Sequence, residues 1–334
     1  MTERASKPDD AARGSFAVII INHNTRPELD ACLSSLPRKD LSHVIVVDND
    51  SIDGSAGMVT EKYPWVSLHA NKTNVGYGAA ANQAIAECTS EYLLLLNSDT
   101  RLQAGAIPSL GRYLGDHPRA AIVGPRLVNE DGTLQASCYS FPTPIDTILE
   151  NSAIAVFLGQ WIRNRIPGIR RLYWRTWPHD AARLVPWVKG AALAIRRKAF
   201  QEVGGFDISF FMYFEDADLC WRLRQAGWEI HFAPVTTVTH VGGASTAQVR
   251  SEMAVQLLQS TDLFYRRHRS RVTLVLMRIM VKMLILGKWL TGSLRLVFTH
   301  DVHRQQRLCE DRAAWQQALF RRSTPIGHTC RRIS

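Results

Sequence analysis

Short apolar runs that suit β-strands alternate with segments of helical periodicity in the first part of this 334-residue chain, and this alternation limits its fold more than any other feature. We predict strands at 16–21, 43–47, 66–69, 92–96 and 121–123, with helices at 27–36, 56–63, 76–88 and 104–116 between them. A β-α-β-α order is typical of an α/β protein with a mainly parallel central sheet flanked by helices on both faces.

Polar side chains follow the predicted strands at their carboxyl ends, where ligands gather in sheets of this kind. The candidates are Asn22 and Asn24 after the first strand, Asp48 and Asn49 after the second, and Asn97 and Asp99 after the fourth. Asp48 alone is also explained as a turn residue or helix cap. Asn97 and Asp99 supply the oxygen ligands that suit Mg²⁺ or Mn²⁺ bridging phosphates.

The small residues of NVGYGAAAN let a helix begin close to a ligand. Asn74 and Gly76 precede the predicted helix, and a helix N-terminus favours a neighbouring anionic group. The dinucleotide fingerprint GxGxxG is absent, and a closely packed helix explains the segment equally well.

A second group of chemically active side chains lies in the sequence GGFDISFFMYFEDADLCWRLRQAGW. Glu215, Asp216 and Asp218 cluster beside aromatic residues, which favours the raised proton affinity that a general base needs. Asp218 with Arg222 also reads as an ordinary helical ion pair, and Glu215 as a charge that complements the helix dipole. His240 alone reads as a surface histidine.

Further strands and a helix are predicted around this group. We predict a strand over 185–196, a helix over 215–227 that Asp216 caps, and a strand over 228–234 that ends at Pro234. Residues 142–180, rich in arginine and aromatic side chains, are interpreted as an insertion. A solvated basic loop and a binding segment both remain open for it.

Six segments together resemble family 2 glycosyltransferases, which are inverting enzymes with the GT-A fold. The resemblance covers residues 16–245 and is greatest to bacterial rhamnosyltransferase-type enzymes. The segments, in chain order, are VIIINHN, VVDNDSIDGS, NVGYGAAAN, LLLLNSDT, KGAALAIRRKAFQEVGGFD and FFMYFEDADLCWRLRQAGW.

The resemblance implies a role for each candidate residue. Asp216 matches the catalytic base, supported by Glu215, Asp218 and Arg222. The Asn97-Ser98-Asp99 segment takes the place of the Asp-X-Asp metal motif, so only Asp99 supplies a carboxylate, and His240 matches a second ligand of Mg²⁺ or Mn²⁺. The residues implied to bind the donor are Asn22, Asn24, Asp48, Asn49, Asn74, Gly76, Asn97, Gly190 and Ala191.

The positive charge of the chain is concentrated at its end. The net charge is +10, and from residue 266 onward there are 15 lysines and arginines against three acids. We predict a disordered leader over 1–14, a catalytic domain over 15–250 and a basic, amphipathic helical region over 251–334. Basic residues interrupt the apolar run 272–298, which favours a helix lying on a membrane surface. Packing on the body or on a partner subunit, and a break near Gly287, stay open.

The resemblance thus implies an inverting transfer of a sugar from a nucleotide-diphosphate donor, with dTDP-rhamnose favoured, to a polyprenyl-diphosphate-linked saccharide in cell-wall or surface polysaccharide synthesis. We expect a cytoplasmic protein attached to the inner face of the membrane through 271–298. No nucleic-acid partner is expected, and a homo-oligomer stays open. The alternatives are a nucleotidyltransferase, whose glycine-rich basic signature is missing, and a non-catalytic membrane scaffold.

Overall fold

The computed structural model describes residues 16–38, 41–143, 177–242 and 250–298. The predicted leader over 1–14, most of the predicted insertion over 142–180 and the chain after 298 lie outside these residues. The described residues fall into two compact units. The first comprises 16–38, 41–141 and 177–242, and the second comprises 142–143 and 250–298.

The secondary structure of the described residues follows the predicted alternation. The strands are β1 (Phe16–Asn22), β2 (Leu41–Asn49), β3 (Ser67–Asn71), β4 (Tyr92–Asn97), β5 (Thr100–Leu102), β6 (Ala120–Val128), β7 (Leu134–Gln135), β8 (Cys138–Tyr139), β9 (Arg183–Leu184), β10 (Trp187–Val188), β11 (Ala192–Arg196) and β12 (Glu229–His240). The helices are α1 (Arg26–Ser34), α2 (Ser55–Lys62), α3 (Tyr77–Ala86), α4 (Ala106–Asp116), α5 (Arg197–Glu202), α6 (Glu215–Gln225), α7 (Arg250–His268) and α8 (Arg271–Phe298).

The central sheet has the strand order β3-β2-β1-β4-β11-β6-β12-β5. The first four strands are parallel. Strand β11 enters antiparallel to both β4 and β6, while β12 pairs parallel with β6. The carboxyl ends of β1, β2 and β4 therefore meet at one edge of the sheet, and the predicted α/β class with a mainly parallel sheet is confirmed.

Every residue of β1 is buried, because helices cover both faces of the sheet. Alternate side chains enter two separate cores, with Val18 and Ile20 in one and Ala17 and Ile19 in the other. The first core contains apolar residues of α1, α2 and α4. The second contains those of α3, α5 and α6. This packing holds the strand ends rigidly.

The predicted strand over 185–196 is in fact two strands. Strand β10 pairs with β8 in a separate two-stranded sheet, while β11 belongs to the central sheet. The intervening residues Lys189, Gly190 and Ala191 make other hydrogen bonds. Lys189 N–H donates to the Ser137 carbonyl, and the Ala191 carbonyl accepts from Asn97 N–H. The apolar pattern continues through the break, so periodicity alone could not locate it.

Strand β12 extends past Pro234, where the sequence predicted its end. The pairing of β12 with β6 shifts register between Phe232 and Thr237. Pro234 lies in this irregular stretch, where a missing N–H breaks no regular ladder bond. The continuation carries the strand to His240 and brings that histidine to the edge of the sheet where β4 ends.

In the second unit, α7 and α8 are joined by ion pairs. Arg278 donates to both carboxylate oxygens of Asp262, at 2.5 and 3.0 Å. Helix α8 is continuous through Gly287, so the polar stripe drifts around one helix rather than ending at a break. Among the described residues, no helix combines the length and apolar character that crossing a membrane requires.

Candidate active site

The ends of β1 and β2 are tied together by a polar network around Asp48. The buried Asp48 carboxylate accepts from Asn22 Nδ2 at 2.8 Å and from the hydroxyl of Ser51 at 2.5 Å. Asn24 adopts a left-handed backbone with φ of 53°, and its N–H donates to the Ser51 hydroxyl. Asn22, Asn24 and Asp48, all expected to bind the donor, are therefore brought together.

The same edge continues into the turn before α3. Asn49 Nδ2 donates to Asn74 Oδ1 at 2.8 Å, and Asn74 Oδ1 accepts from Gly76 N–H. Gly76 has a φ of +88°, and a Cβ there would lie 2.5 Å from the Phe211 carbonyl oxygen. Only glycine fits this close approach, which links the turn to the loop before α6.

Strand β4 delivers Asn97 and Asp99 to the side chain of His240. His240 Nε2 lies 3.3 Å from Asp99 Oδ1 and 3.4 Å from Asn97 Nδ2. Asp99 and His240 are both buried. Burial acts to raise the pKa of Asp99, but interactions with His240 and the Gly242 N–H outweigh it and hold that pKa below its ordinary value.

The hydrogen bonds of Gln135 assign the proton on the His240 ring. Gln135 Nε2 donates to Asn129 Oδ1 at 2.8 Å and to the His240 carbonyl at 3.1 Å, so Gln135 Oε1 faces His240 Nδ1 at 2.5 Å. Nδ1 must then carry the proton. A neutral ring leaves a lone pair on Nε2, directed toward the Asp99 carboxylate.

Two electron-rich atoms 3.3 Å apart share either a proton or a metal ion. An imidazole, a carboxylate and the Asn97 amide fit a divalent cation that takes its other ligands from substrate phosphates and water. Among the described residues, no cluster of three or more His, Cys, Asp or Glu side chains could enclose a metal by protein groups alone. The donor set thus fits a cation held jointly with a substrate.

Asp216 lies in the first turn of α6 and is held by backbone donors. Gly190 N–H donates to Asp216 Oδ2 at 2.7 Å, and Ala217 N–H donates to Oδ1 at 2.8 Å. A Cβ at Gly190 would lie 3.3 Å from Oδ2, so a small residue suits this position. The predicted capping role of Asp216 is wrong. The N-cap is Phe214, with a φ of 67°, and this frees the Asp216 carboxylate to turn toward Gly190.

Burial raises the pKa of Asp216, although the N–H groups of Gly190 and Ala217 oppose the change. Burial also raises the pKa of the adjacent Glu215, and the Asp216 carboxylate raises it further. Glu215 Oε2 has no hydrogen-bond partner among the described residues. The pair therefore holds a proton at higher pH than isolated carboxylates do, as the sequence pattern indicated.

Asp218 and Arg222 form an ion pair within α6. Arg222 Nε donates to Asp218 Oδ2 at 2.7 Å, and Arg222 NH1 donates to the Val203 carbonyl. This pair ties α6 to the loop after α5. Its geometry agrees with the interpretation as an ordinary helical ion pair. A supporting role of the pair in catalysis stays a prediction.

Backbone contacts connect the segment that holds Asp216 to the Asp99 turn. Ala191 carbonyl accepts from Asn97 N–H at 2.9 Å, and Gly190 carbonyl accepts from the hydroxyl of the partly buried Tyr77 at 3.1 Å. Burial raises the pKa of Tyr77, and the carboxylates of Glu215, Asp216 and Asp99 raise it further. The backbone from Gly190 to Ala191 thus connects the Asp216 carboxylate with the turn that carries Asp99.

Four further residues around the candidate site were not identified by the sequence analysis. Ser51 and Gln135 lie in segments whose composition is that of ordinary turns, Tyr77 reads as a helix residue, and Lys189 was interpreted as part of a strand. Lys189 offered the one usable signal, because a lysine inside an otherwise apolar run needs a reason. The other three become visible only through long-range hydrogen bonds.

Replacing Glu215 with glutamine is expected to stabilise the protein increasingly as pH rises. The pKa of Glu215 is about 8 in the folded protein and is lower in the unfolded chain. The free energy of unfolding therefore falls as pH rises from about 5 to about 8. Glutamine escapes this loss. We expect a melting temperature higher by about 2 °C or more at pH 8, as about 1 kcal/mol gives, and little difference at pH 5.

Thermal unfolding at several pH values, measured by calorimetry, tests this. Glu61→Gln, an exposed change on α2, provides the control and should show no pH-dependent gain. A constant difference between Glu215→Gln and wild type at all pH values would mean that Glu215 is ionised throughout.

Comparison with known proteins identifies the family. The sequence profile described as Glycosyl transferase family 2 matches residues 17–204, and that of Glycosyl transferase family group 2 matches 175–303. N-acetylglucosaminyl-diphospho-decaprenol L-rhamnosyltransferase of Mycobacterium tuberculosis is 31% identical over 261 residues, which cover 74% of this chain and 82% of that protein. Rhamnosyltransferase WbbL of Escherichia coli is 24% identical over 75% of this chain and 93% of its own length.

Solved structures show the same architecture. GalNAc-T7, crystallised with UDP, GalNAc and Mn²⁺, superposes with a TM-score of 0.52 at 16% identity, over 77% of this chain and 50% of that one. At this identity the likeness concerns the fold alone. With the family profile covering more than half of the sequence, the chain is a glycosyltransferase of family 2 with the GT-A fold.

Proposed function

We propose that this glycosyltransferase moves a sugar, L-rhamnose in the first instance, from a nucleoside-diphosphate donor to a hydroxyl of a lipid-linked saccharide, with inversion at the anomeric carbon. The observation that carries the proposal is the backbone connection, through Gly190 and Ala191, between the buried Asp216 carboxylate and the turn that holds the Asp99–His240 pair. The choice of sugar and acceptor is supported by the names of the relatives, which include a rhamnosyltransferase for a decaprenyl-diphosphate-linked N-acetylglucosamine.

Asp216 acts as the general base. Its carboxylate accepts the proton of the acceptor hydroxyl while the oxygen attacks the anomeric carbon, and the bond from that carbon to the diphosphate oxygen breaks. The N–H groups of Gly190 and Ala217 fix the carboxylate plane and leave further lone pairs for the incoming proton. One displacement needs one carboxylate and forms no covalent sugar intermediate.

Asp99 and His240 would hold Mg²⁺ or Mn²⁺, and the ion, when bound, offsets negative charge on the diphosphate. Gln135 fixes the His240 ring so that Nε2 faces the ion, as hydrogen-bonded partners of metal ligands commonly do. Asp48 and Asn49, with the turn from Asn74 to Gly76, would bind the nucleoside.

A panel of dTDP-, UDP- and GDP-sugars tests the proposal directly. Purified full-length protein is mixed with each donor, with and without Mn²⁺, and thermal unfolding is recorded. A ligand that binds the folded state raises the melting temperature. We expect dTDP-rhamnose with Mn²⁺ to give the largest rise. If no donor raised the melting temperature above its value in buffer alone, sugar-nucleotide binding would be contradicted. If a different donor gave the largest rise, the sugar would be reassigned.

We also propose that α8 attaches the protein to the cytoplasmic face of the membrane. Six of its apolar side chains, between 42% and 69% exposed, fall within an arc of about 100° on the helix. They are Val272, Val275, Leu276, Ile279, Met283 and Leu286. The exposed bases Arg271 and Lys282 border the same side, as suits an anionic lipid surface.

Vesicle flotation tests this attachment. The full-length protein should float with vesicles containing anionic phospholipid and float weakly with zwitterionic ones. The double change Ile279→Asp and Met283→Asp should lower the bound fraction by about tenfold or more, since each buried apolar side chain contributes about 1.5–3 kcal/mol. Val235→Asp, which changes an exposed apolar residue of β12, is the control. Flotation unaffected by the double change, or a wild-type dimer in solution that this change splits, would reject lipid as the occupant.

A further inference from the structure

Lys189 lies in the chain segment that contacts both Asp216 and the Asp99 turn. Its own N–H donates to the Ser137 carbonyl at 2.8 Å. The next residue, Gly190, donates its N–H to the Asp216 carboxylate at 2.7 Å, and the carbonyl of Ala191 accepts from Asn97 N–H at 2.9 Å. The two residues that follow Lys189 therefore contact Asp216 and the Asp99 turn, and these hydrogen bonds fix the backbone at Lys189.

The Lys189 side chain is half-buried, and among the described residues it has no ion pair or side-chain hydrogen bond. Burial lowers its pKa, while the carboxylates of Asp99 and Asp216 act in the opposite direction. A partly desolvated ammonium group costs free energy unless something pairs with it. Its two neighbouring carboxylates attract it without forming a contact, which leaves its hydrogen-bond donors available to a ligand.

The charge of the site explains which ligand suits this lysine. Asn97 stands where the family motif has an acid, so the metal turn offers one carboxylate, Asp99. The positive group acting on Asp216 is Lys189. A nucleoside diphosphate adds negative charge to this region and more develops as it leaves the sugar. A cation ligated by a single carboxylate, an imidazole and an amide leaves room for a second positive group beside the diphosphate.

We propose that the ammonium group of Lys189 binds the diphosphate of the sugar nucleotide and, with the cation at Asp99 and His240, balances the charge of the leaving nucleoside diphosphate. The inference rests on the proposed function and assigns Lys189 as an additional donor-binding residue. Charge-assisted hydrogen bonds from ammonium to phosphate are among the stronger polar contacts in proteins.

Calorimetric titration of dTDP and UDP into the full-length protein tests the assignment, with Mn²⁺ and, separately, with a chelator. Lys189→Met should weaken nucleoside-diphosphate binding by about 10- to 100-fold, the range expected for a lost hydrogen bond to a charged group. The loss should persist in chelator, because the lysine acts without metal. Lys189→Arg should retain most of the affinity. Lys198→Met, an exposed change on α5, should retain all of it.

The other outcomes are equally informative. Unchanged nucleotide affinity in Lys189→Met, confirmed as folded by its melting curve, overturns the proposal. If that variant instead moves the acid limb of the kcat/KM profile to higher pH, Lys189 acts on Asp216 alone. Weaker binding of a short prenyl diphosphate, with nucleotide binding intact, would place the lysine on the acceptor side. If Lys189→Met does not fold, Lys189→Gln gives the same comparison. Failure of the wild type to bind any nucleoside diphosphate would refute the proposed function itself.

Discussion

Asp216→Asn is expected to lower the rate of sugar transfer by about 10²–10⁴-fold, the range that general-base catalysis contributes, and to leave nucleotide-sugar binding unchanged. An amide has no basic lone pair for the acceptor proton. Its single oxygen can keep only one of the two backbone hydrogen bonds from Gly190 and Ala217. Turnover with saturating donor and acceptor, and donor affinity by calorimetry, are measured on the same preparation.

Asp116→Asn is the matched control, since Asp116 is exposed at the end of α4. It should transfer sugar at the wild-type rate. Wild-type turnover in Asp216→Asn would mean that another group removes the proton. An equal loss of turnover and donor affinity would instead show that Asp216 binds the donor rather than serving as base.

Asp99→Asn is expected to abolish activation by Mn²⁺ and to lower turnover by about 10²-fold or more, because a Lewis acid on the diphosphate is worth several kcal/mol. The turn from Asn97 to Asp99 would then contain no carboxylate. Asp99 Oδ2 also accepts from Gly242 N–H at 3.0 Å, which the asparagine oxygen can still accept, so the fold should survive. Turnover is followed against Mn²⁺ concentration.

Direct Mn²⁺ binding in the presence of nucleoside diphosphate, read by electron paramagnetic resonance, separates metal binding from catalysis. We expect weaker Mn²⁺ binding in Asp99→Asn and wild-type binding in Asp116→Asn. If Asp99→Asn remains fully active in chelator, the transfer needs no divalent ion, and Lys189 becomes the main positive group at the diphosphate.

Much of the fold is readable from the sequence because β1 and β4, in the parallel half of the sheet, are uninterrupted apolar runs. The four leucines of β4 and the three isoleucines of β1 have no other stable environment than a sheet buried on both faces. The polar residues that end these runs then fall at one edge by topology. Asn22, Asp48 and Asp99 were therefore identifiable as site candidates before any contact was known.

The remaining errors arose where a tertiary contact overrides a local pattern. Apolar residues run on from β10 to β11, yet the bond between Gly190 N–H and Asp216 breaks the strand there. Pro234 normally ends a strand, but a register shift in β12 accommodates it. Both deviations affect the candidate site, since the first lets Gly190, the neighbour of Lys189, donate to Asp216 and the second brings His240 to Asp99.

Product analysis tests sugar transfer most directly. Full-length protein is incubated with dTDP-rhamnose, Mn²⁺ and a short-chain prenyl-diphosphate N-acetylglucosamine, and the products are followed by mass spectrometry and by NMR at the new anomeric carbon. We predict one deoxyhexose added per nucleoside diphosphate released, with the anomeric configuration opposite to that of the donor, and product formed about 10²–10⁴-fold more slowly with Asp216→Asn. Retained configuration, or full product with Asp216→Asn, would contradict a single displacement assisted by the carboxylate at 216.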